Sequence, residues 1–387
     1  MQVNTDNTNN TGNKGTRGTK GTKGTKGTKG TKKLQQEVLQ LIKRASFIVL
    51  VFSFILIFAV TAGAQEVLQI THLNPQNPEE VATAAMAEIF KARVEAETDI
   101  EVEIYPDGVL GDAREMMEQV QGGVIQSFIS SAGGLAPFYP EIAVVDIPFA
   151  LSHYSVAHRV YDGEFGTILA EEIEANTSGF EVLAFGESGG FFQLTNTVRE
   201  IQTPDDMDGI TFRTMPIEMH REFISALGGT ATEIAWEELY TALQTGVADG
   251  QMNPIPLITM ELLYEVQDYM TLTNHMYTPY VWVINDEWME GLTDHERSVI
   301  REAARAGNTA GRGVNQLVEA SEELGLPYIQ EQMEVYAPTD EELQQFRDIV
   351  EPAAMEVIEE EFGEEGLELA EKYLEAITTA EEELGIQ

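Results

Sequence analysis

From Thr293 to about Leu324 the chain keeps helical spacing without a break, and Thr293 with Glu296 three residues on is the pattern of a reciprocally capped helix start. About 30 residues at ~1.5 Å each make ~45 Å, more than one small domain is wide. A helix of that length spans two bodies, so a single small domain is excluded. With 387 residues and 43% hydrophobic content the chain can bury a core in each of two domains.

The rest of the pattern says what those bodies contain. Glu66 to Leu73 alternates like a strand, Pro78 to Ala96 has helical spacing, Ile100 to Tyr105 alternates again, and Gly111 to Val120 is amphipathic. This β-α-β-α opening predicts an α/β domain. Ile125 to Ser131, Glu181 to Phe185, Phe191 to Thr197, Ile210 to Thr214 and Tyr280 to Ile284 read as further strands, with Gly186 to Gly190 as a turn between two of them. Trp236 to Val247 reads as a helix. Thr339, again with an acid three residues on, opens another to about Phe362, and Glu365 to Leu384 closes the chain.

The amino terminus stands apart. Its first 64 residues carry ten Lys or Arg against two acids, and the Gly-Thr-Lys repeat from Lys14 to Lys33 has no apolar face to bury, so residues 1–44 are expected to be a disordered basic tail and charged n-region. Residues 45–64, an apolar run ending in Ala62-Gly63-Ala64, read as the h-region and cleavage site of a secretory signal. The run is shorter than the ~20 residues of a usual bilayer span, which favours cleavage over an uncleaved anchor. Export places the mature chain in the periplasm, and the absence of cysteine excludes disulfides, thiolate metal sites and cysteine nucleophiles.

From Gln65 on there are 13 basic and 63 acidic groups, a net charge of −50. Such self-repulsion is screened at ~1 M salt, where the Debye length is ~3 Å. The expectation is a halophilic, strongly acidic protein for which nucleic acid and anionic lipid are poor partners.

Chemistry is sparse. Gly186-Glu187-Ser188-Gly189-Gly190 matches the nucleophile elbow of a serine hydrolase, but the residues after it alternate like a strand instead of opening a helix. A secreted serine hydrolase using Ser188 stands as the alternative reading. The six histidines are scattered and form no zinc spacing, so neither metal nor cofactor is expected. Arg213 is different. A guanidinium at a strand end matches a carboxylate with a planar fork, although Asp205, Asp206 or Asp208 could equally pair with it.

Arg213 closes an Asp-x-x-Gly-x-x-x-Arg element with Asp206 and Gly209, followed by Glu238-Leu-Tyr-Thr-Ala-Leu-Gln-Thr-Gly-Val-Ala-Asp-Gly-Gln-Met-Asn-Pro254. With Tyr105-Pro106, Leu110-Gly111, Phe138-Tyr139-Pro140-Glu141 and Ile147-Pro148-Phe149, these residues resemble the extracytoplasmic solute-binding proteins of TRAP transporters, DctP type, over Glu66 to about Lys372.

The resemblance implies no enzyme. It implies a two-lobed periplasmic-binding-protein fold of α/β class, with an interdomain cleft, crossing hinge strands and a long helix spanning both lobes. Lobe I would be residues 66–189 plus 278–318, lobe II residues 190–277 plus 319–372, and residues 373–387 a C-terminal helix. The protein would act as a monomer, close on a small organic acid and deliver it to a TRAP permease.

By the same resemblance Arg213 falls on the carboxylate clamp, Asn253 on a ligand-bonding asparagine and Trp236 on an aromatic that packs on the ligand. Ser131 and His72 fall at strand ends reaching the cleft, with Met215 a further wall. Many members carry a second arginine where this chain has Phe192 or Gln193, and several carry an acid where it has Met252. Without a second cation, a second negative charge would be desolvated unpaired, which favours a monocarboxylate or zwitterion over a dicarboxylate.

Overall fold

The computed structural model describes residue 34, residues 37–46 and residues 66–386. The chain parts into two compact units, Met1–Ala64 and Gln65–Gln387. In the first, residues 37–46 are helical and exposed. The Gly-Thr-Lys repeat and nearly all of the apolar run, on which the expectations of a disordered tail and an export signal rest, lie outside the described residues. Among the described residues no helix is long and apolar enough to cross a membrane. Elements are numbered from Glu66.

The expected opening is present as β1 (Val67–His72), α1 (Ala82–Glu97), β2 (Glu101–Tyr105), α2 (Ala113–Gln121) and β3 (Ser127–Ser131). Asp112 and Glu115 form a capping box that starts α2. A short α3 (Ala132–Leu135), a 3₁₀ turn at Pro140–Asp146, α4 (Tyr154–Tyr161) and α5 (Glu164–Asn176) lead to β4 (Glu181–Phe191), and after Phe192 the chain continues as β5 (Gln193–Asn196).

The sequence reading of Gly186 to Gly190 as a turn does not hold, because β4 runs through it. Gly189 and Gly190 have φ of 84° and 98°, and a Cβ on Gly190 would meet the Tyr154 hydroxyl at 2.6 Å. Glycine here serves close packing within an extended segment.

The second half of the molecule contains β6 (Thr211–Thr214), α6 (Glu218–Ala226), β7 (Thr230–Glu233), a 3₁₀ turn at Trp236–Glu238, α7 (Leu239–Gln244), β8 (Gly250–Asn253), α8 (Ile255–Met260) and β9 (Tyr269–Thr271). The segment Trp236 to Val247 is thus a 3₁₀ turn followed by a short α-helix. β10 (Tyr277–Ile284), α9 (Asp286–Gly291), α10 (Asp294–Glu319), α11 (Leu326–Gln332), β11 (Glu334–Tyr336) and α12 (Asp340–Leu384) complete the chain.

Two sheets result. The first has order β2-β1-β3-β10-β4, with β1 parallel to β2 and β3, and β10 antiparallel to β3 and β4. The second has order β11-β9-β5-β8-β6-β7. The chain therefore crosses between sheets from β4 to β5 and returns from β9 to β10. The crossings touch, since the Phe192 N–H donates to the Met276 carbonyl at 2.8 Å. This is a two-lobed α/β fold with crossing hinge strands.

Two helices tie the halves together. α10 starts on Thr293 with the anticipated capping box and buries Val299, Ile300, Ala303, Ala304, Gly307 and Gly311. Gly307 and Gly311 let it lie close on α1, where added Cβ atoms would come within 2.5 Å of the Met86 carbonyl and 2.7 Å of Met86 Cγ. The far end of α10 reaches α8. α12 starts on Thr339, capped with Glu342, and is broken at Gly363, whose φ of 61° and ψ of −146° are not helical. Beyond the break Tyr373 packs on Phe165 of α5 at 4.9 Å, and Glu383 pairs with Arg159 of α4. Before it, Glu356 and Glu360 face Glu222 of α6.

Candidate functional site

A cavity of about 270 Å³ lies between the sheets. Leu73, Asn74, Ile129, Ser131 and Tyr280 line it from the five-stranded half, and Arg213, Met215, Trp236, Glu237 and Asn253 from the six-stranded half, with Ser188 and Phe192 where the crossing strand passes.

Arg213 sits on β6, in register with Thr232 of β7 and Gln251 of β8, and only 2% of it is exposed. Its Nε donates to the Ile234 carbonyl at 2.8 Å, which fixes the plane of the fork, and the Trp236 ring centroid lies 5.9 Å from Cζ. Among the described residues no carboxylate comes within salt-bridge distance of it. Asp206 instead accepts from the Thr203 and Gln202 backbone, while Arg199 takes the Asp206 and Asp208 carbonyls.

Burial pulls the Arg213 pKa down to about 10, opposed by the charge of Glu237. An ion held this way carries an unpaid desolvation cost of several kcal/mol, which an anion arriving at its free face offsets.

Asn253 ends β8 and is placed by a buried relay. Its Nδ2 donates to Gln251 Oε1, Gln251 Nε2 donates to Thr195 Oγ1 at 2.8 Å, and Thr195 donates to Gln267 Oε1 at 2.8 Å. The chain of bonds through Gln251, Thr195 and Gln267 holds the amide in one orientation at the cavity wall. Met215 closes on Gly133 of the opposite half, where a Cβ would stand 3.0 Å from the Met215 Sδ. Ser131 ends β3 opposite Tyr280 of β10.

Six of the eight residues expected at the cleft, Arg213, Asn253, Trp236, Phe192, Met215 and Ser131, line this one cavity. His72 and Gln193 do not. His72 is buried, its Nε2 bonded to Gln76 Oε1 at 2.9 Å, and burial lowers its pKa. Gln193 follows Phe192 on an extended strand, so its side chain takes the other face, donating to the Phe191 carbonyl at 3.0 Å and to Asn274 Oδ1 at 2.7 Å.

Sequence reading missed Asn74, Tyr280 and Glu237. Asn74 Nδ2 donates to the Tyr280 hydroxyl at 2.9 Å, and burial raises the pKa of that phenol. A tyrosine within the apolar run Tyr280 to Ile284 was the available signal, since a buried phenol needs a partner. Glu237, next to Trp236, stands exposed on the rim. Desolvation raises its carboxyl pKa and the charge of Asp112 raises it further, against Arg213.

The serine-hydrolase alternative loses its geometry. Ser188 lies inside β4, with no strand-to-helix turn, and among the described residues no histidine hydrogen-bonds to it. Two lobes hinged by crossing strands around a cavity with a buried guanidinium define a solute-binding protein.

Residues 71–361 match the model of the bacterial extracellular solute-binding protein family 7, DctP, and the chain belongs to that family. It is similar to the TRAP periplasmic solute-binding protein of Polaromonas sp. JS666 solved with D-erythronate, with 32% identity and a TM-score of 0.72 over 80% of this chain and 98% of that one. The sugar acid binding protein DctPAm of Advenella mimigardefordensis strain DPN7T, in complex with galactonate, gives 29% identity and a TM-score of 0.74 over 81% and 98%. The ectoine-binding periplasmic protein TeaA of Halomonas elongata is 30% identical over 74% of this chain and 84% of its own length.

Proposed function

We propose that the protein captures a small organic acid bearing one carboxylate, or a zwitterion, in the periplasm of a saline environment and delivers it as a monomer to a TRAP permease. The observation that carries this reading is Arg213, buried in the cavity with no carboxylate among the described residues within salt-bridge distance. Residues 45–64 act as its export signal, and the lobes are residues 66–189 plus 278–318 and residues 190–277 plus 319–372; the expected separate helix from residue 373 is instead the continuation of α12, whose break lies at Gly363.

In this mechanism Arg213 grips the carboxylate with both arms of its fork, Asn253 adds a hydrogen bond, and Trp236, Met215 and Phe192 cover the apolar body. Closing the lobes excludes water and strengthens the ion pair, so binding and closure are one equilibrium.

The rim supports a ligand of low negative charge. Arg114, the other cation on the cavity wall, is largely exposed and already paired with Glu118 at 3.1 Å. Asp112 and Glu237 line the cavity, and the pKa of Glu261 is raised by burial, then by Asp107 and Glu237. A second carboxylate on the ligand would face them unpaired, whereas a cationic end would be welcome.

A thermal-shift screen in molar salt tests the proposal, because a ligand that binds only the native state raises the melting temperature. D-erythronate, galactonate, ectoine and succinate form the panel. The expected result is a shift with a monocarboxylate or with ectoine that exceeds the shift with succinate. A larger shift with succinate overturns the ligand class, and no shift with any small carboxylate overturns the capture of acids.

A further inference from the structure

We infer that Asp146, His220 and Thr278 form the pivot about which the two halves move, and that this cluster positions Phe192 against the ligand cavity. Asp146 is the last residue of the Pro140–Asp146 turn in the five-stranded half and is fully buried. Its Oδ1 accepts from the Thr278 hydroxyl on β10 at 2.8 Å. Its Oδ2 accepts from Nε2 of His220 at 2.9 Å, and His220, also fully buried, lies on α6 of the six-stranded half. One carboxylate is therefore bonded to the returning hinge strand and to both halves.

That arrangement limits how the cleft can open. Separating Asp146 from His220 would leave a buried carboxylate oxygen without its hydrogen-bond donor, an unfavourable state. A lobe motion that leaves this contact intact avoids the penalty, and such a motion has its axis here. The far rim, where exposed acids face each other, is the part free to separate.

The cluster also reaches the cavity. The Phe192 ring stands edge-on to His220, with centroids 5.9 Å apart, and edge-on to His275 at 6.4 Å. His275 is stacked flat on Phe223 at 4.2 Å and bonded through Nδ1 to the Thr273 hydroxyl at 2.7 Å. Phe192 is thus wedged between two fixed imidazoles on one side while it lines the cavity on the other. The other titratable groups facing the cluster are Tyr161 of α4 and Tyr373 of α12, whose pKa values are raised first by burial and further by the charge of Asp146, and His275, whose pKa is lowered by burial and then by His220.

The test needs no ligand, so its failure is separate from failure of the acid-binding reading. The chain has no cysteine, which allows site-specific spin labels at Val124→Cys and Val247→Cys, both exposed and one on each half. Pulsed electron-spin distance measurements on the full chain then report the spread of lobe positions. Asp146→Asn and His220→Gln are each expected to broaden the distance distribution relative to the labelled parent. The Asp146→Asn/His220→Gln double variant, which keeps a neutral hydrogen bond between the same positions, should restore the parent distribution. Single variants that retain native circular dichroism and the parent distribution overturn the pivot, as does a double variant no narrower than the singles. Should the single variants fail to fold, Thr278→Val removes one hydrogen bond and leaves the contact between Asp146 and His220. It should broaden the distribution slightly, and an unchanged one overturns the inference.

Discussion

The wall that the five-stranded half gives to the cleft and the wall that faces it are built differently. The first presents uncharged Ser131, Asn74 and Tyr280, with Asn74 and Tyr280 bonded to each other at 2.9 Å, and keeps its charged residues Asp112 and Arg114 exposed at the start of α2. The second brings Arg213, buried with its fork locked by Ile234, and Asn253 at the end of an amide relay. The difference suggests a division of labour, in which the six-stranded wall recognises the acid and the five-stranded wall covers it. Ligand in the open state should rest on the arginine wall.

The strongest way to break this contrast is Arg213→Ala. It should cost at least ~3 kcal/mol of ligand affinity by calorimetry, because a desolvated carboxylate loses its charged partner. A loss below roughly tenfold, or ~1.4 kcal/mol, would make the arginine structural and the walls equivalent.

Acid challenges the support behind the arginine wall. Burial holds the His275 pKa well below its ordinary value, with His220 adding to the effect. The unfolded chain takes up a proton near pH ~6.5 that the folded state refuses, so this group's contribution is complete above that pH and is lost as pH falls below it. The loss is up to ~1.4 kcal/mol per pH unit in chemical denaturation. His275→Phe, which keeps an aromatic ring on Phe223, should flatten that slope, and an unchanged slope would mean that other groups carry the acid sensitivity.

Tyr280→Phe sharpens the comparison from the covering side. It removes one hydroxyl without changing shape, and ~1 kcal/mol of lost affinity is expected. A loss as large as that of Arg213→Ala would give the five-stranded wall the recognising role.

Glu237→Gln should have the smallest effect. The side chain is exposed, so the change is expected within ~1 kcal/mol. Its direction matters more than its size: affinity for succinate should rise and affinity for ectoine should fall. The reverse order, read by competition calorimetry, would remove the rim from ligand selection.

Much of this arrangement was legible in the chain. Period-two and helical spacing marked β1 to β3 with their helices, and threonine three residues before glutamate marked the starts of α10 and α12. Arg213, Trp236 and Asn253 stood out through the motif around them. Gly186 to Gly190 misled because glycine signals a turn by default, whereas its three glycines are crowded by Met86, Pro254 and Tyr154, all distant in sequence. His72 and Gln193, expected at the cleft, lie off the cavity, since position along a strand does not say which face of the sheet meets the cleft. Asp146 and His220, 74 positions apart, become neighbours only through the fold.

Gly363 has a mechanical consequence. Because the last long helix turns a corner there, its first arm lies near α6 and reaches Phe149 of the other half through Arg347, while its second arm lies on α4 and α5. The first arm thus straps the two halves together from outside the cleft. The corner calls for glycine, because a φ of 61° with ψ of −146° strains any residue that carries a side chain, and a replacement there would have to straighten the strap or absorb that strain.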